Sequence, residues 1–102
     1  MAVYVVQEAP GKNILSAEAY GPLVALLPSM MQIVVSATEA IEILNKKLRT
    51  FSDQDYLLAI GDPVAIGLAS AIAAHYNGGR VKFLKWDRVE TRYYVVHTNI
   101  SS

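Results

Sequence analysis

Apolar runs alternate with polar, glycine- and proline-containing turns along the chain, and this pattern predicts its secondary structure. Short runs rich in β-branched and aromatic residues are typical of strands. The third such run is apolar throughout, as in strands buried on both faces of a sheet. The pattern predicts five strands, at Val3–Gln7, Leu23–Leu27, Tyr56–Ile60, Val81–Trp86 and Arg92–Thr98.

Apolar residues at helical spacing predict two long helices. The first begins at Ser36, because Ser36 and Glu39 form a capping-box pattern. The second follows Asp62, which suits an N-cap, and Pro63, which suits the first helical position. The sequence Asn-Gly-Gly at 77–79 is typical of a helix end.

Three shorter segments are less regular. Pro10-Gly11 predicts a turn after the first strand. The segment "NILSAEAYG" can hold one helical turn, with Ser16 as a cap and Gly21 as its end. The segment "MQIVV" at 31–35 fits either an extended continuation of the second strand or a short extra strand.

The order of these elements predicts a single α/β domain over residues 1–102. Strand–helix–strand units imply parallel pairing, and the last two strands suit an antiparallel hairpin. We therefore expect a small, mostly parallel sheet of four to five strands, with two main helices and a C-terminal antiparallel hairpin. The strand order and the pairing direction of the first strand stay open.

Composition narrows the function classes. The chain has 102 residues, 53% of them hydrophobic, and its nine basic and nine acidic residues leave a net charge of zero. A nucleic-acid-binding protein usually has a basic excess, so the balance disfavours that class and permits self-association. The absence of cysteine excludes disulfides and thiol chemistry. With no signal-peptide pattern and no long apolar run, we expect a cytoplasmic protein without membrane contact.

No chemistry-bearing motif predicts an enzyme. Neither His75 nor His97 has a partner at metal-ligand spacing, and the chain lacks nucleotide-binding and nucleophile-elbow motifs. Asp53 and Asp55 fit solvated residues of a polar connector. The sequence therefore favours a non-enzymatic protein and predicts no cofactor, no metal and no catalytic residue.

One group of candidate ligand-binding residues follows from the predicted sheet. Ligands of parallel sheets bind beyond the carboxyl ends of the strands, where Ser29, Ser36, Gly61 and Asp62 are expected. The Asp62 carboxylate would occupy the place of a phosphate, and Pro63 lacks the N–H that a phosphate needs. A helix cap is thus favoured over a phosphate site, while a sugar hydroxyl or an amine stays open.

A second group of candidates lies on the second long helix. Assigning about 100° per residue directs one side of the helix towards the sheet, namely Val64, Leu68, Ile72 and Tyr76 together with Ala65 and Ala69. The opposite side carries small residues and no charge, whereas a solvated helix face usually carries charges. This pattern favours a close approach by another helix, a second subunit or a ligand over an ordinary solvated surface on which Ala and Ser are simply tolerated. The interface candidates on this helix are Gly67, Ser70, Ala71 and Ala74.

The C-terminal hairpin supplies the remaining candidates, Trp86, Arg88 and Tyr93. Aromatic residues and arginine dominate contact hot spots, which favours a protein partner. Basic residues beside aromatic ones can also bind single-stranded nucleic acid, but alternation along the strands distributes them over both faces.

The chain as a whole resembles a group of short proteins encoded in tailed-phage and prophage genomes. The resemblance is carried by "VYVVQE", "LVALLP", "DYLLAIGDPVAIGLASAIAA" and "VKFLKWDR" followed by "YYVV". It implies a phage accessory protein that acts on a host or phage component, and it carries over no binding or catalytic residues. We thus expect a self-associating protein-interaction module. The alternatives are small-molecule or nucleotide binding at the strand ends and single-stranded nucleic-acid binding by the hairpin.

Overall fold

A computed structural model describes residues 1–9 and 14–101 and shows the predicted α/β fold. The predicted turn at Pro10-Gly11 lies outside the described residues. The elements in chain order are β1 (Val3–Gln7), a 3₁₀ helix (Leu15–Tyr20), β2 (Leu23–Leu27), α1 (Ile33–Leu48), β3 (Tyr56–Leu58), α2 (Pro63–Tyr76), β4 (Arg80–Asp87) and β5 (Arg92–Asn99).

The five strands form one mixed sheet in the order β2-β1-β3-β4-β5. β1 lies parallel to both β2 and β3, and β3 lies parallel to β4. β4 and β5 pair antiparallel, residue for residue, from Arg80 opposite Asn99 to Asp87 opposite Arg92. The predicted mostly parallel sheet with a C-terminal hairpin is confirmed, and β1 is now known to pair in parallel.

Connections between parallel strands are right-handed, and this rule explains how the helices divide between the faces. The connection from β1 to β2 runs one way along the sheet, and those from β2 to β3 and from β3 to β4 run the other way. Right-handed crossovers that run in opposite directions lie on opposite faces. Accordingly α1 and α2 cover one face, called the helix face, and the 3₁₀ helix packs on the other, called the opposite face.

A buried apolar cluster occupies each face of the sheet. On the helix face, leucines of α1 and alanines of α2 pack on the strands, because alternate strand residues point that way. On the opposite face, Ala17 of the 3₁₀ helix packs on a smaller cluster. That smaller cluster contains Val3, Val5, Leu58, Leu84 and Tyr93.

The start of α1 departs from both expectations for "MQIVV". The helix begins at Ile33, and Ser36 lies inside it at a kink (φ −129°, ψ 24°) rather than at an N-cap. The longer part of α1 therefore follows Ser36, as predicted, but the helix as a whole has its N-cap at Gln32, four residues earlier than predicted. β-branched residues suggested a strand, but only Ile33 is buried there, while Val34 and Val35 project into solvent. In the 3₁₀ helix, Gly21 ends the helix as predicted, but the cap position is Ile14 and not Ser16.

The orientation of α2 also differs in part from the prediction. Its fully buried row consists of Ala65, Ala69 and Ala73, and Ala74 is buried as well at 4% exposure. Val64, predicted to face the sheet, is 58% exposed. The helix packs against α1 as well as the sheet, and alanines let all three approach closely. The larger residues Leu68, Ile72 and Tyr76 flank this row and are only partly buried.

Asp55 was interpreted as a solvated connector residue, and this is wrong. Its side chain is buried, and its carboxylate accepts hydrogen bonds from the N–H groups of Ala2 and Ser52, both at 2.9 Å. It thereby joins the connector before β3 to the start of β1. Asp53, two residues earlier, is exposed as predicted.

Candidate functional site

The carboxyl ends of β1, β2 and β3 meet around the side chain of Gln7, which is only 5% exposed. Its Nε2 donates hydrogen bonds to the carbonyls of Pro28 (3.1 Å) and Met31 (3.0 Å). Its Oε1 accepts the N–H of Asp62 at 3.0 Å. One amide group therefore joins the loop after β2 and the turn after β3 to the end of β1.

Gln7 fills the place where a ligand would be expected. In the strand order β2-β1-β3-β4, the chain reverses its direction of travel at β1, and ligands of such sheets bind in the crevice at that switch point. Gly61 closes the crevice further. It has φ +116°, and a Cβ there would lie 2.5 Å from the Gln7 Cβ, so the turn packs directly on Gln7.

Asp62 acts as the N-cap of α2, as predicted. Its Oδ1 accepts the N–H groups of Val64 (2.7 Å) and Ala65 (3.4 Å), and so occupies the end of the helix that could otherwise bind an anion. Ser29 is exposed in the loop after β2, and Ser36 is half-buried at the kink of α1. The four ligand candidates lie at the carboxyl ends of the strands. The polar groups at the centre of this region, those of Gln7 and Asp62, already bond to groups of the same chain.

Four of the eleven exposed large hydrophobic residues in the described part of the chain belong to the segments at this edge, and others, such as Met1, Val89 and Ile100, lie elsewhere. Val34, Met30 and Val35 are 90%, 83% and 76% exposed, in the first turn of α1 and the loop before it. Val64, in the first turn of α2, is 58% exposed. We call these four residues the apolar edge. Sequence reasoning missed all four: it directed Val64 towards the sheet, and it left the segment at 31–35 undecided between two extended conformations, so exposed valines in a helix were not expected.

The interface candidates on α2 are divided between surface and interior. Gly67 and Ala71 are exposed, and a Cβ added at Gly67 would meet nothing within 4 Å. Ser70 is half-buried, and its hydroxyl donates to the Ile66 carbonyl at 2.7 Å. Ala74 belongs to the interior. The free surface of α2 thus retains Gly67 and Ala71, on the helix that begins at the apolar edge.

The hairpin candidates lie on the opposite face of the sheet. Trp86 is 37% exposed, and its ring packs edge-on against Tyr93 with the ring centroids 5.0 Å apart. Tyr93 is buried, its carbonyl accepts the Tyr20 hydroxyl at 3.2 Å, and burial raises the pKa of its phenol. Arg88 is exposed in the hairpin turn. A single flat partner cannot contact both this group and the α2 candidates, because the sheet separates them.

The basic residues of the hairpin are also divided. Arg80 Nε donates to the Asp53 carboxylate at 2.9 Å, and this bond together with one from Asn77 holds the pKa of Asp53 below its usual value. The Lys82 ammonium lies 4.2 Å from the centroid of the Tyr56 ring. Arg80 and Lys82 therefore already interact with groups of the same chain. Tyr93 is buried and cannot stack on a base. His97 is an exposed strand residue, as predicted.

Lys47 of α1 has a role that the sequence did not reveal. Its ammonium donates to the carbonyls of Ala25 (3.0 Å) and Leu26 (3.2 Å) of β2. β2 forms one edge of the sheet, so Lys47 covers backbone groups that another strand could bind. Only the tertiary fold brings this lysine to that strand.

Within residues 1–9 and 14–101, no helix has the length and apolar character that crossing a bilayer requires.

Comparison with known proteins gives one match. A family model described as Phage Pam3 gp32-like protein matches residues 1–100. No curated protein and no solved structure matches the chain. The match confirms the resemblance to phage proteins noted in the sequence, and it assigns no activity.

Proposed function

This chain belongs to the Phage Pam3 gp32-like protein family, and from that premise we propose a phage accessory protein that acts by protein–protein contact and self-association. The proposal includes no enzymatic step. The observation that carries it is the apolar edge, where Met30, Val34 and Val35 each expose more than three quarters of their surface.

Such exposure favours a binding surface for physical reasons. Burying a valine or methionine side chain contributes about 1.5 to 3 kcal/mol relative to leaving it in water. Neighbouring exposed apolar side chains are typical of contact sites on soluble domains. Val34 and Val35 lie side by side at the start of α1, where polar residues would fit the helix equally well. A partner that covers them would gain this energy without any rearrangement of the core.

Two further features support contact with proteins. Gly67 and Ala71 extend the uncharged surface along α2 from Val64. The net charge of zero imposes no long-range repulsion between copies. A phage or host protein at the apolar edge and a second copy elsewhere on the molecule are both compatible with these features.

The alternative functions have weaker support. At the strand ends, Gln7 and Asp62 use their polar atoms to join the loops and to cap α2. On the hairpin, the cations are divided between the faces and Tyr93 is buried. Neither arrangement presents a ready set of free groups for a nucleotide or for a single strand of nucleic acid.

Site-specific cross-linking in phage-infected cells tests the proposal. A photo-reactive amino acid at position 34 should form an adduct with one phage or host protein. The same amino acid at position 49, exposed at the other end of α1, is the matched control. Equal labelling at both positions, or no adduct at position 34, would contradict the assignment of the apolar edge. Light scattering at low and high salt tests self-association, and a monomer at both would contradict that part.

A further inference from the structure

A cleft on the opposite face of the β4–β5 hairpin forms a second candidate site, away from the apolar edge. Asp53, Arg80, Lys82 and His97 are among the residues that line it, and we call it the hairpin cleft. Its volume is about 500 Å³, within the usual range of about 300 to 1,000 Å³ for small-molecule sites. It lies beside the starts of β3 and β4, whereas the apolar edge lies at the carboxyl ends of the parallel strands.

Strand alternation brings the basic side chains of the hairpin cleft together. Lys82 is two residues from Leu84, which is buried on the opposite face, so both side chains point to that face. His97 is paired with Lys82 across the ladder and therefore points there as well. Arg80 is the next residue of the same row along β4. Three basic side chains thus share one small area of a chain whose net charge is zero.

Two of these side chains are held in position by groups of the same chain. The Asp53 carboxylate accepts the Arg80 Nε–H at 2.9 Å, and this bond uses one of the five N–H groups of the guanidinium. The Lys82 ammonium lies 4.2 Å from the centroid of the Tyr56 ring, a contact that occupies no conventional acceptor. Both cations therefore keep donors for a ligand, and holding them in place lowers the entropy cost of binding one.

The positive charge of the hairpin cleft is only partly compensated. Among the described residues that line it, Asp53 is the only carboxylate, and its charge matches that of Arg80. Hydrogen bonds from Arg80 and Asn77, and then the charges of Arg80 and Lys82, hold the pKa of Asp53 below its usual value, so these groups form one electrostatic cluster. The Lys82 ammonium remains as an excess positive charge, and the His97 ring opposite it can donate a further hydrogen bond.

We propose that the hairpin cleft binds a phosphate group, either as the inorganic ion or as part of a small phosphorylated molecule. Arg80, Lys82 and His97 supply donors from three side chains, and a phosphate offers at least three acceptor oxygens, whereas a carboxylate offers two. In the described part of the chain, no Tyr, Trp or Phe side chain lines the cleft, so stacking would not hold a nucleobase there. The phosphate itself is therefore the recognised group.

Titration of the isotope-labelled, unmodified chain with sodium phosphate, followed by amide NMR shifts at constant pH, tests the site. The shifts should concentrate on Arg80, Lys82 and His97 and should saturate with a dissociation constant below about 10 mM. Sodium chloride at the same ionic strength is the control. Equal shifts with chloride, or shifts that spread over the surface without saturating, would show counter-ion screening and would overturn the proposal.

Substitutions on the two faces of the hairpin test which side chains bind the phosphate. Lys82→Gln removes the excess charge and should weaken binding at least about 5-fold. Lys85→Gln, exposed on the same strand but on the helix face, is the matched control and should leave the dissociation constant unchanged. At His97, which is exposed, Leu should weaken binding and Gln, which keeps a donor, should weaken it less. Equal losses for Lys82→Gln and Lys85→Gln, or no loss for Lys82→Gln and His97→Leu, would overturn the site.

A parallel titration with glycerol phosphate distinguishes the two sources of the phosphate group. Tighter binding of glycerol phosphate than of inorganic phosphate would assign the hairpin cleft to a phosphorylated small molecule. Equal or weaker binding would assign it to the inorganic ion, and binding of neither would overturn the proposal. Because the cleft and the apolar edge lie at different ends of the sheet, failure here would leave the proposed protein contact intact.

Discussion

The two edges of the sheet are protected to very different degrees. β2 has five residues, lies between Pro22 and Pro28, and has two carbonyls covered by Lys47. β5 has eight residues, no proline and no bulge. The β2 edge combines shortness, flanking prolines and a lysine, whereas the β5 edge uses none of these devices.

This difference matters because an exposed strand edge can pair with any other exposed strand. A chain with two open edges can polymerise, and one with two closed edges remains alone. On β5 a side chain of another element also covers a backbone group, since the Tyr20 hydroxyl donates to the Tyr93 carbonyl.

Replacing Gln7, whose side chain joins the end of β1 to the loops after β2 and β3, should have the largest effect on stability. Gln7→Leu leaves the Pro28 and Met31 carbonyls and the Asp62 N–H without their buried partner. We expect the free energy of unfolding to fall by about 2 to 4 kcal/mol. Urea unfolding followed by circular dichroism measures this loss. Gln32→Leu, at an exposed position, is the control, and equal effects at the two positions would contradict the role of Gln7.

The turn between β3 and α2 lies between the edges and should affect stability without affecting assembly. Asp62→Ala removes the N-cap and should cost about 1 kcal/mol, while Asp62→Asn, which can still accept the bond, should cost less. Thermal unfolding measures both, and light scattering should show the same mass as for the unmodified chain. A changed mass would mean that the turn takes part in the contact between copies.

Removing the Lys47 ammonium, which covers two carbonyls of the β2 edge, should change the assembly state more than the stability. Lys47→Met removes two exposed, charge-assisted hydrogen bonds, and we expect a loss below about 1 kcal/mol. With the β2 edge uncovered, larger species should form than for the unmodified chain, and sedimentation velocity would detect them. Lys46→Met, at the neighbouring exposed position, should not produce them. An unchanged size distribution in Lys47→Met would show that the β2 edge is protected by other means.

The Asp53–Arg80 ion pair should have the smallest effect on stability. Its contribution requires a pH at which the Asp53 carboxyl is ionised. Hydrogen bonds from Arg80 and Asn77 lower the pKa of Asp53 below its usual 3.8, so the bonded carboxylate stabilises the fold above that value. Its contribution should disappear as the pH falls below 3.8 and through the lowered pKa. Comparison of the unmodified chain with Asp53→Asn by urea unfolding at a series of pH values measures it. A difference that grows on acidification would reverse the sign that we expect.

The sequence predicts elements well where one local rule decides them. Short apolar runs locate all five strands, and Asp62 with Pro63 locates the start of α2. It fails where distant contacts decide. Ile33 begins a helix because it packs into the core below α1, and no local signal indicates that burial. The protection of β2 by Lys47 likewise depends on a contact across 21 and 22 residues of sequence.

The candidate surfaces show the same division. A periodicity argument finds the uncharged side of α2 but places Ala74 on it, because α2 buries its alanines against two neighbours at once. To predict the apolar edge, one must know that Val34 and Val35 are helical and project outward. That β2 and β5 form the two edges of the sheet requires the strand order, which the sequence leaves undetermined.

Gln7 also has a consequence for the order of events in folding. Its three partners lie 21, 24 and 55 residues away along the chain, so none of these bonds can form locally. They can form only after β2, β3 and their following loops have come together beside β1. We expect such late contacts to be absent from the transition state, so that their loss speeds unfolding more than it slows folding, which stopped-flow kinetics of Gln7→Leu would measure. Gln7 should therefore affect the unfolding rate, and thus how long the native state persists, rather than the folding rate.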